Sequence, residues 1–185
     1  TATYGSELSE EVQFLRNFRD RSILKTDAGS NFMIVFNAWY YSFSPAVAGY
    51  EDSHTSVRSA AKLALYPLIG VLHLASSTYA ALGFEPELAA LTGGLVASFL
   101  IGLVYLAPPI VPVLWINRNR IQSRTKRRIT RFLAVALLAL MAGFVIAEVL
   151  VLPAVMMLVS LGIVLTGTTG GSVLPALYLV RHVRE

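Results

Sequence analysis

Two ionisable side chains stand inside long apolar runs, His73 and Glu148. Ionisable groups at membrane depth are candidates for function by default, because hydrocarbon offers a charge no partner. A metal or haem centre would need further donors within reach. The nearest sulfurs are Met141, Met156 and Met157, and no H-x-x-x-H or E-x-x-H spacing includes His73 or Glu148. His73 therefore reads as a hydrogen-bonded packing residue, and Glu148 as a carboxylate at the outer interface. The chain has no cysteine, which removes disulfides, thiolate zinc sites, iron–sulfur clusters and cysteine nucleophiles. The spans show no Ser-His-Asp or serine–lysine set and no aspartyl pair, and residues 167–172 are rich in Gly and Thr but lack the lysine of a phosphate loop. The expectation is a chain without catalytic, metal or cofactor residues, and so not an enzyme.

The elements that hold these two residues follow from the distribution of charge. Of 185 residues, 55% are hydrophobic and 14% charged, against about 25% charged in soluble domains; the mean hydropathy is +0.62. A chain of 20.1 kDa with that composition needs lipid to cover its apolar surface. No Lys or Arg occurs at 63–117 or 132–180. Since a helix needs about 20 apolar residues to cross a bilayer, each gap holds two spans. The first pair reads as 60–82 and 88–116 around the turn Gly83-Phe84-Glu85-Pro86-Glu87, the second as 129–150 and 151–180, with Glu148 and Pro153 near the turn. The predicted fold is an all-α integral membrane protein with four transmembrane helices in two hairpins.

Between the hairpins lie Arg118, Arg120, Arg124, Lys126, Arg127, Arg128 and Arg131. By the positive-inside rule this loop, placed at 117–128 ahead of the third span, faces the cytoplasm, and the basic tail from Arg181 follows it. The result is a multi-pass protein of the cell membrane. A basic run can also bind RNA or anionic lipid, but setting orientation is enough to account for it, and no nucleic-acid partner is expected.

Small residues recur every four positions at Gly94, Ser98 and Gly102 and again at Gly162, Thr166 and Gly170. Such stripes let helix backbones approach closely in lipid, so both read as packing faces. Pro108, Pro109 and Pro112 should break the second span near its end, and 166–171 with Pro175 should loosen the fourth.

The first 59 residues are a separate region. Ser6 or Ser9 can cap an amphipathic helix in which Val12, Leu15 and Phe18 share a side with Phe14 beside them, and Arg16 is spaced to pair with Asp20. The charge-free run 28–50 follows, dense in Phe32, Phe36, Trp39, Tyr40, Tyr41 and Phe43. Trp and Tyr favour the headgroup zone, and Ser44-Pro45 should stop or kink a helix, so the run reads as interfacial or re-entrant. A full crossing is the alternative. It decides whether the amino end lies on the cytoplasmic side, as with four crossings, or outside, as with five.

The stretches Thr1-Ala2-Thr3-Tyr4-Gly5-Ser6 and Glu11-Val12-Gln13-Phe14-Leu15-Arg16-Asn17-Phe18-Arg19-Asp20 resemble the CFI-box C-terminal domain of bacterial and archaeal membrane proteins, as do Ala28-Gly29-Ser30, Tyr40-Tyr41-Ser42, Ser44-Pro45-Ala46-Val47-Ala48 and Leu63-Ala64-Leu65-Tyr66-Pro67. The resemblance covers about the first seventy residues, and the later spans look like the archaeal multi-span members. It implies a membrane-embedded region, often preceded by an exported domain, with no established catalytic activity. The Cys-Phe-Ile-Ala that opens the family motif is missing, and processing that leaves Thr1 as a new terminus is one explanation.

The expected role is an accessory or anchoring subunit that contacts membrane lipids and other integral membrane subunits. Phe14, Phe18 and the aromatic run would be its contact surfaces. A membrane-sorting module left after cleavage and a small transporter are the alternatives. The likeness to archaeal members makes a copper membrane monooxygenase, such as ammonia monooxygenase, a partner to test.

Overall fold

The computed structural model describes residues 9–82, 84–117 and 123–182. Among them there is no strand. The helices are α1 (Glu10–Phe18), α2 (Asp27–Ser53), α3 (Thr55–Ala81), α4 (Pro86–Ile101), α5 (Ala107–Ile116), α6 (Ser123–Val149) and α7 (Pro153–His182). Four helical stretches are long and apolar enough to cross a membrane: Thr55–Ala81, Pro86–Ile116, Thr125–Val149 and Pro153–Val180. These are the four spans read from the cation-free gaps, with ends moved by a few residues. The contacts group the chain into two compact units, Thr1–Gly93 and Gly94–Glu185, a division that falls within α4.

In the first unit α2 packs on α3, and α1 packs on α3 as well. Ile69, Val71 and Ala75 of α3 are buried, as are Val12 of α1 and Ala28 of α2. Ser9 stands at the amino end of α1 in extended conformation but makes no side-chain cap bond, and its buried hydroxyl has no hydrogen-bond partner among the described residues. The cap expected there is thus absent from Ser9, while Ser6 lies outside the described residues. After α1 the chain widens into one π turn, Arg19–Ile23, closed by the Leu24 N–H donating to the Arg19 carbonyl at 2.9 Å.

The stop expected at Pro45 is not found. α2 runs through Pro45 and α3 through Pro67 without ending. α7 is continuous for 30 residues through 166–171 and Pro175. A proline removes one backbone bond, and the intact turns on either side carry the helix past it. The second span is indeed interrupted, though upstream of its prolines, by the π turn Gly102–Leu106 between α4 and α5. Pro108 and Pro109 fall directly after it, in the first turn of α5; without N–H groups they cannot bond back to the carbonyls of the π turn, where Ala107 N–H still reaches Gly102.

In the second unit α6 and α7 form a hairpin around Phe144, Ala147, Met156 and Ile163, all buried. The joint is tight. Val151 N–H donates to the Glu148 carbonyl at 3.1 Å and Leu152 N–H to the Ala147 carbonyl at 2.9 Å, with Val151 at φ 52°. This is a Schellman closure with valine where glycine is usual, and Pro153 starts the next helix.

Candidate functional site

The closest joint in the first unit forms where α2 begins. Thr26 precedes the helix and is 2% exposed. Its Oγ1 donates to the Ile23 carbonyl at 2.9 Å and accepts the Gly29 N–H at 3.1 Å. The two remaining first-turn donors reach across the sequence: Asp27 N–H donates to Glu87 Oε1 at 2.6 Å and Ala28 N–H to Glu87 Oε2 at 3.1 Å. Thr26 N–H goes to the Ile23 carbonyl and Ser30 N–H to the Thr26 carbonyl. Every donor that a helix start leaves orphaned is satisfied. Gly29 is required, because a Cβ there would collide with the Ile23 carbonyl.

Glu87 also lies in the first turn of α4. One carboxylate therefore serves the positive ends of two helix dipoles, and α2 and α4 begin side by side. Sequence reading placed Glu87 only in a turn. The signal that was available is its acid type just after Pro86, an ordinary first-turn pattern that names no distant partner.

His73 and Phe14 come together. Their rings stack with centroids 3.7 Å apart and 15° between planes, which joins α1 to the carboxyl-terminal third of α3. Phe14 also stacks on Phe18 at 6.2 Å. The His73 ring is accordingly a packing surface, and its carbonyl accepts the Ser77 hydroxyl at 3.0 Å. Asp20 accepts a 2.7 Å bond from Arg19 Nε. That bond, with a coulombic pull from Arg19 and Arg16, holds the Asp20 carboxyl below its usual range.

The aromatic run forms a ladder along α2. Phe36 stacks on Phe32 at 5.8 Å and on Tyr40 at 5.9 Å. Trp39 meets Phe36 at 5.9 Å and Phe43 edge-on at 4.9 Å. Tyr40 touches Tyr41 at 5.5 Å and Phe43 at 5.8 Å. Trp39 and Tyr41 are 60% and 64% exposed.

The small-residue stripes divide. Gly102 faces the Thr168 carbonyl, which a Cβ would strike, and a Cβ at Gly171 would strike the Phe99 carbonyl. A Cβ at Gly167 would meet the Ser98 hydroxyl; Ser98 is buried, with Oγ bonded to the Leu95 carbonyl at 3.0 Å. The seam of α4 and its π turn against α7 thus uses Ser98 and Gly102 on one side and Gly167 and Gly171 on the other. Gly162 instead packs on Leu140 of α6, Gly170 only grazes Phe99, and a Cβ at Gly94 would meet nothing within 4 Å. Thr166 is half-buried. Relative to the stripe 162, 166, 170, the close face of α7 is displaced by one residue, because backbone approach depends on the direction in which α7 is turned, which spacing alone leaves open.

Arg118 and Arg120 lie outside the described residues. Arg124, Lys126, Arg127, Arg128 and Arg131 belong to α6, which begins at Ser123, so the basic loop expected at 117–128 is in part the first turns of a helix. Lys126 Nζ sits 5.3 Å from the Tyr178 ring centroid, a cation–π contact between α6 and α7. Glu148 is exposed one residue before α6 ends. Among the described residues no group of three or more His, Cys, Asp or Glu side chains is placed to hold a metal ion.

These features define a multi-pass α-helical membrane protein whose organised sites are helix junctions. No protein-family model, curated protein or solved structure matches the chain.

Proposed function

We propose that this chain is a non-catalytic accessory or anchoring subunit that packs within a larger complex of the cell membrane. One observation carries the reading. In the most apolar windows of three spans only 11% of residues are buried within the chain, against 33% for Pro153–Val180. Lipid covers most of such a surface. Open notches at Gly70 and Gly94, where a Cβ would meet nothing within 4 Å, are the places at which a neighbouring helix can approach closely. The hydroxyls of Ser59, Ser77, Thr78, Thr92, Thr130 and Thr169 bond to carbonyls of their own helices, so these surfaces meet apolar neighbours without orphaned donors.

The basic segment at 118–131 and the carboxyl end then face the cytoplasm. The likeness to archaeal CFI-box proteins makes a copper membrane monooxygenase the first complex to test. Extraction of native membranes in mild detergent, two orthogonal separations and mass spectrometry of co-migrating chains test the reading. A fixed ratio to the same integral membrane subunits is expected. Migration as a lone chain, or solute uptake by liposomes containing only this protein, overturns it.

A further inference from the structure

We propose that α2 is a fifth membrane crossing, which presents its aromatic ladder to lipid hydrocarbon and puts α1 on the side of the membrane where α3 ends and α4 begins. Three observations converge. First, both ends of α2 are pinned to the ends of a neighbouring span. Its amino end is held by Glu87 beside the start of α4, while its carboxyl end joins the start of α3 through His54 alone, whose ring stacks on Tyr50 at 4.2 Å. α2 and α3 each have 27 residues, about 40 Å at about 1.5 Å per residue. A helix pinned at both levels traverses the same thickness as α3.

Second, the run 28–50 has no charged residue, and although α2 is less apolar than the four spans named above, the run extends about 35 Å as a helix, enough for a hydrocarbon core of about 30 Å. The ladder lies in the middle of this run rather than at an end. Ile34, Trp39, Tyr41 and Val47 are exposed, as are Leu63, Tyr66 and Leu74 of the apolar span α3. Two polar side chains on α2 turn back on the backbone: Asn31 Nδ2 donates to the Asp27 carbonyl at 2.8 Å and the Ser42 hydroxyl to the Trp39 carbonyl at 2.6 Å. A helix start with every donor satisfied is what entry into a medium without water demands.

Third, α1 meets α3 at His73, eight residues before Ala81 and so about 12 Å from that end at about 1.5 Å per residue. An amphipathic helix lying in the interface is placed at that depth. The side that receives it is the side of the Phe84–Pro86 turn.

The chain contains no cysteine, so single cysteines report without background. Glu10→Cys, Ala38→Cys, His54→Cys and Glu85→Cys replace exposed residues in the full chain in sealed membrane vesicles. With an impermeant maleimide, Glu10→Cys is expected to label together with Glu85→Cys. His54→Cys should label only from the opposite side, and Ala38→Cys only after detergent. Labelling of Glu10→Cys together with His54→Cys overturns the proposal, as does labelling of Ala38→Cys in intact vesicles. Trypsin cleavage at Arg21 or Lys25 of the unsubstituted protein reads the same side independently: cleavage from the Glu85 side supports five crossings, and cleavage only from the other side overturns them.

Discussion

The two units hold their helices together by different physics. In the first, the joints are polar or aromatic: the Glu87 carboxylate on the start of α2 and the Thr26 cap at a helix end, and the Phe14–His73 stack in the last third of α3. In the second, the joint is steric and runs along the helices, with Gly102 against the Thr168 carbonyl and Gly171 against that of Phe99. An end joint fixes level and direction but leaves the flanks open, as the exposed face of α2 illustrates. A seam of small residues fixes rotation as well, since only the face that carries Gly167 and Gly171 lets α7 approach the backbone at Phe99 and Gly102.

The sharpest way to break the contrast is to add one methyl group to the seam. Gly102→Ala or Gly171→Ala drives a Cβ into backbone, and each should destabilise the protein by about 1–3 kcal/mol, the range for overpacking. Gly94→Ala, facing open space, should be neutral or slightly stabilising, because alanine is the better helix former. Unfolding in detergent titrated with denaturant compares the three. Equal behaviour would mean that the seam is not a close contact.

The corresponding break in the first unit is Glu87→Ala, which strips two first-turn donors of their acceptor and should cost about 1–2 kcal/mol, as lost caps do. Glu87→Gln keeps one acceptor oxygen and should fall between. Hydrogen exchange at Asp27 and Ala28 should rise in the alanine variant while exchange in α6 and α7 stays unchanged.

Val151→Gly sharpens the comparison from the other direction. A valine at φ 52° is strained by about 1 kcal/mol or more, so glycine should raise the unfolding midpoint of the second unit; a lower midpoint would refute strain at this joint.

The smallest effect belongs to Asp20. Its carboxyl titrates below the ordinary range because of Arg19, so its contribution is present above the unfolded carboxylate pKa and is lost as pH falls through the lower folded value. Both partners are about half exposed, and water screens the pair. Asp20→Asn should leave the midpoint at neutral pH unchanged within error, and should slightly flatten its decline on acidification.

Much of the architecture was legible in the residues, and the reason is additivity. Transfer of a helix into lipid sums over about 20 positions, so the cation-free runs located the spans without reference to any partner. The joints were less legible. The valine turn at 150–152 carries no glycine, and Pro45 does not end α2, because the turns on either side offset the one bond it removes. Of the packing stripes, Ser98 and Gly102 lie on the close face, whereas Gly94 does not.

Sequence alone determined that this chain is helical, apolar in long blocks and basic between them, since those properties are local sums over neighbouring residues. Only the tertiary structure decided that Glu87 caps a helix 60 residues away, that Phe14 covers His73, and that α7 turns Gly167 and Gly171 toward α4. Each depends on the meeting of segments distant in the chain, and spacing within one helix carries no information about the rotation or level of another.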